Sequence, residues 1–210
     1  MTVTLHAYKY SVYSWIARLV LAEKGVGYDY VEVNPFSPDL AEEYLEKHPF
    51  RRVPVLVHDD FLVYETVAIA RYVDETFAGA PLQPTTSRDR ARMAQIVSIV
   101  DAYGYRPMVR QVFANRVFRP RAGQPGDEAE IQSGLIASER ILAALESLTE
   151  PGGYLLGSRL SLADLHLAPM MAYFVAAEEG ASMLTHYEKL SKWWALIRNL
   201  PALVATDPGE

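Results

Sequence analysis

The stretch Val53-Pro54-Val55-Leu56-Val57-His58-Asp59-Asp60-Phe61-Leu62-Val63-Tyr64-Glu65-Thr66 constrains the fold more than any other. Val53 to Val57 is apolar and mostly β-branched, the composition of a buried strand. Asp59-Asp60 marks a tight turn, after which Phe61 to Tyr64 returns antiparallel. Glu65-Thr66 then opens a helix, because Val67, Ile69, Ala70, Val73 and Phe77 recur at helical spacing. Two features reach beyond folding. Pro54 stands at the start of the strand, where it removes a ladder donor. A cis Val53-Pro54 bond would turn the Val53 N–H and C=O toward an extended peptide lying alongside. Only about 5–6% of X-Pro bonds in folded proteins are cis, and an edge-strand proline is the plainer alternative. Thr66 stands at a helix N-terminus, where free N–H groups and the helix dipole favour a carboxylate; an ordinary cap is the alternative there.

The flanking sequence supplies partners for this unit. Val3 to Ala7 reads as a first strand, followed by the polar and aromatic loop Tyr8 to Tyr13. Ser14 is placed to cap a helix through Ile16, Leu19, Val20 and Ala22 that stops at Gly25 to Gly27. Tyr28 to Val33 reads as a second strand parallel to the first, since a helix separates them. Asp39 to Lys47 is expected as a short helix, with Leu40 and Tyr44 apolar. The order β-α-β-α-β-β-α describes a small α/β layer over residues 1–78.

Ala78-Gly79-Ala80-Pro81-Leu82-Gln83-Pro84-Thr85-Thr86 is the clearest break, and the spacing predicts a linker over 79–87. From residue 88 to 210 the pattern is all helical. One long helix is expected from Arg88 to Val117, kinked near Gly104 by Pro107. A second runs from Glu128 to Leu148 with Ile131, Leu135, Ile141, Leu142 and Leu145 inward. Ser161-Leu162-Ala163-Asp164 is a capping box with Asp in place of Glu, flanked by the staple pair Leu160 and Leu165. The helix it starts, to about Ala177, is apolar on most faces and should be the most buried. A last helix spans Tyr187 to Asn199.

Composition narrows the chemistry. The 210 residues include no cysteine, which excludes structural disulfides, thiolate metal sites and a protein-borne thiol nucleophile. The five histidines show no metal-ligand spacing, so no metal is expected. A net charge of −6 argues against nucleic-acid binding. Apolar runs fall well short of the roughly 18 residues that span a bilayer, so no membrane partner is expected. Met1 to His6 lacks the charged start and apolar core of a signal peptide, and a cytoplasmic protein is the expectation.

Tyr10-Ser11 after the first strand, Val53-Pro54, Glu65-Thr66 and Ser161-Leu162-Ala163-Asp164 fall in the order and spacing of a known family. Over essentially its whole length the chain resembles the cytosolic glutathione transferases, with a thioredoxin-like first domain and an all-α second. Ser11-Val12-Tyr13-Ser14-Trp15-Ile16-Ala17-Arg18 looks most like the serine-type classes theta, phi and zeta. The resemblance implies an enzyme that activates the thiol of glutathione as thiolate for attack on a hydrophobic electrophile. It implies that Val53, beside a cis Pro54, pairs with the cysteinyl unit. Glu65 and Thr66 would hold the γ-glutamyl end, and Arg52 would reach a carboxylate. Ser11 would lie next to the sulfur, with Ser14, Tyr13 and Tyr10 as competing hydroxyls. The electrophile's site is expected between the domains, walled by Tyr103, Tyr105, Arg106, Arg110 and Phe113, with Met170, Tyr173 and Phe174 opposite. Arg106 and Arg110 could attract an anionic substrate. A homodimer is implied, with Phe50 and the Arg88 to Arg92 face as contacts, and a role in detoxification. The zeta pattern asks for Ser-Ser-Cys where this chain has Ser11-Val12-Tyr13, which weakens a maleylacetoacetate isomerase reading. The lack of cysteine speaks against thiol-disulfide activities. A non-catalytic glutathione or ligand carrier, an isomerase and a dehalogenase remain alternatives.

Overall fold

Alternation of strand and helix in the first third of the chain produces a four-stranded sheet. The computed structural model describes residues 2–209, in two units: one holds residues up to Pro81 together with those from Pro201 onward, the other Leu82–Leu200. In the first unit the chain runs β1 (Val3–Ala7), α1 (Val12–Glu23), β2 (Asp29–Glu32), α2 (Glu42–Lys47), β3 (Val55–His58), β4 (Phe61–Tyr64) and α3 (Thr66–Thr76). The sheet order is β2-β1-β3-β4, with β1 and β2 parallel and the other pairs antiparallel. Val3, Leu5 and Ala7 alternate into the core, as the two-residue period of a strand requires. Helices α1 and α3 pack together, and Ile16, Leu19, Ile69 and Val73 are fully or almost fully buried. Asp59 adopts φ 53° at the hairpin turn, where a short polar side chain tolerates the left-handed region.

The register brings three loops to one end of the sheet. His6, near the end of β1, lies opposite Val55, the first residue of β3, and Val55 lies opposite Tyr64, the last residue of β4. The Tyr8–Ser11 loop, the Val53-Pro54 approach and the Glu65-Thr66 helix start therefore share that end.

Four local expectations are corrected. The cap of α1 is Ser11, three residues earlier than Ser14, because its hydroxyl already accepts the Ser14 N–H at 3.3 Å. Helix α2 begins at Glu42; the Pro38-Asp39-Leu40 segment before it is non-helical. Pro54 precedes β3, so no ladder bond is lost. The tail was expected with the second domain, but α10 (Pro201–Thr206) packs on α1, and the Trp15 Nε1–H donates to Thr206 Oγ1 at 3.0 Å. So short a helix is not stable alone; packing holds it.

The second unit contains α4 (Ser87–Ile99), a π-wound segment (Val100–Phe118), α5 (Arg119–Arg121), α6 (Glu128–Leu148), α7 (Leu162–Val175), α8 (Glu178–Leu184) and α9 (Glu188–Ile197). The expected single α-helix over Arg88–Val117 thus changes winding at Val100, and the Arg119 N–H reaches back five residues to the Ala114 carbonyl. Pro107 lies inside the wide segment; in α winding its ring would crowd the carbonyl four residues before it. Gly134 lets α6 approach this segment, since a Cβ there would stand 2.7 Å from Gln111 Cβ. The stripe Ile131, Leu135, Ile141, Leu142 and Leu145 is buried on α6, and most of α7 is buried. Among the described residues no helix is long and apolar enough to cross a membrane.

Candidate functional site

The shared end of the sheet carries backbone groups that the protein leaves open. The Val53-Pro54 bond is cis and Val53 is only 8% exposed. Among the described residues neither the N–H nor the C=O of Val53 has a protein hydrogen-bond partner. Buried backbone groups are almost always paired, so this pair is an open socket for an extended chain. The socket is held from behind. Val53 packs with Val33, Tyr44 and Val55, and the Tyr44 hydroxyl donates to the Arg52 carbonyl at 2.7 Å. Burial pushes the Tyr44 phenol up to about 12, so it stays a donor. This role was missed from sequence, where Tyr44 reads only as an apolar position on α2.

The start of α3 is the second open element. Glu65 holds φ 70°, rare for a residue with a Cβ, and no side chain caps the helix. Thr66 is buried, and its hydroxyl has no protein partner among the described residues. An eleven-residue helix with a bare N-terminus presents free N–H groups and the positive end of its dipole. Such a terminus accepts a carboxylate. Arg52, immediately before Val53, is exposed, and its guanidinium is unpaired among the described residues. Arg51 instead ties the preceding loop, donating to the Ser37 carbonyl at 3.1 Å. His48 is buried with its ring 4.6 Å from Tyr64. Burial lowers its pKa and the Arg52 charge adds to this, while Glu65 acts in the opposite direction.

The third element is the start of α1. Ser11 is half-buried with an extended backbone, and its Oγ accepts the Ser14 N–H. Its hydroxyl proton has no acceptor among the described residues. Ser14, by contrast, is completely buried, and its Oγ accepts the Tyr8 N–H at 3.2 Å. Tyr13 is half-buried in the first turn of α1. Tyr8 and Tyr10 meet edge-on at 5.9 Å, and Lys9 Nζ stands 5.1 Å from the centre of the Tyr10 ring.

On the second unit Tyr103, Arg106 and Arg110 are exposed. Neither guanidinium has a protein partner among the described residues, although Arg116 beyond them pairs with Glu128 and Glu179. Tyr173 does not share that exposure. It is buried and its ring stacks on Phe113 at 4.2 Å, because α7 turns its aromatic residues into the core. Met170 and Phe174 are fully buried as well. These three read as packing residues rather than open walls. No cluster able to hold a metal occurs among the described residues.

A four-stranded mixed layer followed by a helical unit is a two-part architecture, α/β first and all-α second. Residues 5–81 match the model of the glutathione S-transferase N-terminal domain, and residues 102–201 that of the glutathione S-transferase C-terminal domain. Glutathione S-transferase F10 of Arabidopsis thaliana is 32% identical over 189 residues, covering 89% of this chain and 87% of that protein. A probable maleylacetoacetate isomerase of Caenorhabditis elegans is 29% identical over 206 residues, covering 97% and 92%. The solved structure of glutathione S-transferase III in apo form shares the fold, with a TM-score of 0.84 at 24% identity, covering 98% of this chain and 95% of that one. The chain belongs to the glutathione S-transferase family.

Proposed function

We propose that this glutathione transferase docks reduced glutathione at one end of its sheet, beside the approach to β3, and keeps the sulfur ionised with the Ser11 hydroxyl. Val53 pairs with the cysteinyl backbone through its N–H and C=O, beside Pro54. The bare N-terminus of α3, with Glu65 and Thr66, takes the γ-glutamyl end. Arg52 takes a carboxylate. The unpaired Val53 backbone is the observation that carries this reading.

The chemistry follows from thiol ionisation. A free thiol with pKa near 8.5 is only about 3% thiolate at pH 7, and the thiolate is the nucleophile. The Ser11 oxygen is already engaged by the Ser14 N–H, so its proton is left to donate to sulfur. That bond favours the charged form, as does the positive end of the α1 dipole. Lowering the thiol pKa by two units requires about 2.7 kcal/mol. One charge-assisted hydrogen bond, at about 1.5–3 kcal/mol, is of that size. Serine forms no covalent bond in this scheme. The electrophile is a small hydrophobic molecule, for which Tyr103, Arg106 and Arg110 are the candidate contacts on the helical unit. The protein is read as a cytoplasmic homodimer acting in detoxification, with exposed Phe50 as a contact residue.

Calorimetry with reduced glutathione should show one site per chain, and Ser11→Ala should raise the bound thiol's pKa by about two units while leaving the tripeptide bound. No heat of binding would remove the docking reading; an unchanged thiol pKa would remove the role of Ser11. The isomerase relative supports a second reading, in which glutathione is regenerated. Glutathione consumption per product formed separates the two: one for conjugation, none for isomerisation.

A further inference from the structure

We infer that Ser14 is a positioning residue that sets the Ser11 hydroxyl in place, an inference that rests on the assignment of Ser11 as the sulfur's donor. The Tyr8–Ser11 connection is tied into a closed ring with the first turn of α1. The Ser11 N–H donates to the Tyr8 carbonyl at 3.0 Å, the Ser14 N–H donates to Ser11 Oγ at 3.3 Å, and the Tyr8 N–H donates to Ser14 Oγ at 3.2 Å. Each residue of the ring therefore fixes the next. Ser14 contributes twice, once through its backbone and once through its side chain. It is completely buried, so its own oxygen is closed to a docked thiol.

Two further anchors hold this connection from outside the ring. Arg18 Nη2 donates to the Lys9 carbonyl at 3.3 Å, and the Lys9 N–H donates to Glu32 Oε1 at 3.2 Å. Both hold the exposed outer side of the loop without touching Ser11, the second through the Tyr8–Lys9 peptide whose carbonyl accepts the Ser11 N–H. The Ser14 hydroxyl accepts the Tyr8 N–H, on a peptide whose Ala7 carbonyl is held by the Val33 N–H at 2.7 Å, and the carbonyl on the other side of the Tyr8 Cα holds the Ser11 N–H. Without the Ser14 hydroxyl, the Tyr8 N–H is left in a partly buried place with no acceptor, and the Tyr8 backbone shifts about its Ala7 anchor to find one. The Ser11 oxygen then moves with it. A hydroxyl that serves by geometry loses its effect when its direction changes by little.

The test is a thiol titration of the glutathione complex, followed by thiolate ultraviolet absorbance, on Ser11→Ala, Ser14→Ala and the double variant. Ser14→Ala should raise the bound thiol's pKa by about one unit, leaving about tenfold less thiolate at a pH below that pKa and about tenfold lower kcat with a chlorodinitrobenzene. The double variant should match Ser11→Ala alone, because a residue acting through Ser11 adds nothing once Ser11 is gone. Ser14→Thr and Ser14→Val form a second pair of equal shape that differs in the acceptor oxygen; Thr should keep the thiol pKa and Val should raise it. A Ser14→Ala protein that melts earlier with an unchanged thiol pKa, additive effects in the double variant, or equal behaviour of Thr and Val would each overturn the inference. If Ser11→Ala itself leaves the thiol pKa unchanged, the parent assignment falls, and that result is visible separately.

Discussion

Helices α7 and α3 both begin with a polar residue in front of free backbone donors, and the chain treats the two starts in opposite ways. At α7 both oxygens of the Asp164 carboxylate are engaged from within. Asp164 Oδ1 accepts the Leu155 N–H at 2.8 Å and Trp193 Nε1–H at 2.9 Å, and Oδ2 accepts the Ser161 N–H at 2.8 Å and the Ser161 hydroxyl at 2.6 Å. Burial pushes the carboxyl's pKa up, and those hydrogen bonds pull against it. At α3 no side chain caps the helix, Glu65 sits in a left-handed conformation, and the Thr66 hydroxyl is unpartnered among the described residues. A closed start converts polar groups into stability; an open start keeps them for a ligand. Helix α1 lies between these extremes, with the Ser11 oxygen used and its proton free.

The comparison breaks most visibly at the closed end. Asp164→Ala orphans several buried donors at once and should cost about 3–5 kcal/mol in denaturant unfolding, while the folded fraction binds glutathione unchanged. Weakened binding with intact stability would reverse the roles of the two starts. At the open end, Thr66→Ala should weaken glutathione binding about tenfold by calorimetry, or about 1.4 kcal/mol, with a stability change within about 1 kcal/mol. The smallest effect should come from Glu65→Gly. Glycine adopts φ near 70° without a Cβ penalty, so unfolding should shift by about 0.5–1 kcal/mol in favour of the variant, while glutathione binds more weakly. Equal or tighter binding would mean that the Glu65 side chain takes no part.

Much of this was legible in the residues. The hairpin and α3 follow from Val53 to Thr66 because strand period, turn chemistry and helix period change over within a few positions. The capping box at Ser161 and Asp164 was legible because both partners lie three residues apart. The cap of α1 was misplaced by three residues: Ser11 and Ser14 both satisfy the local rule, and only the folded loop shows which oxygen faces which N–H. The role of Tyr44 was hidden because its hydroxyl meets the Arg52 carbonyl eight residues away. Tyr173 on an apolar helix reads more readily as core than as a pocket wall, and its stack on Phe113 comes from packing between distant segments.

What the sequence determined by itself is local: where strands and helices run, which turns join them, and that no cysteine chemistry is available. Tertiary structure decided which polar groups are satisfied. It alone left the Val53 backbone unpaired, closed Ser14 off and freed the Ser11 proton, because hydrogen-bond accounts are settled by groups far apart in the chain.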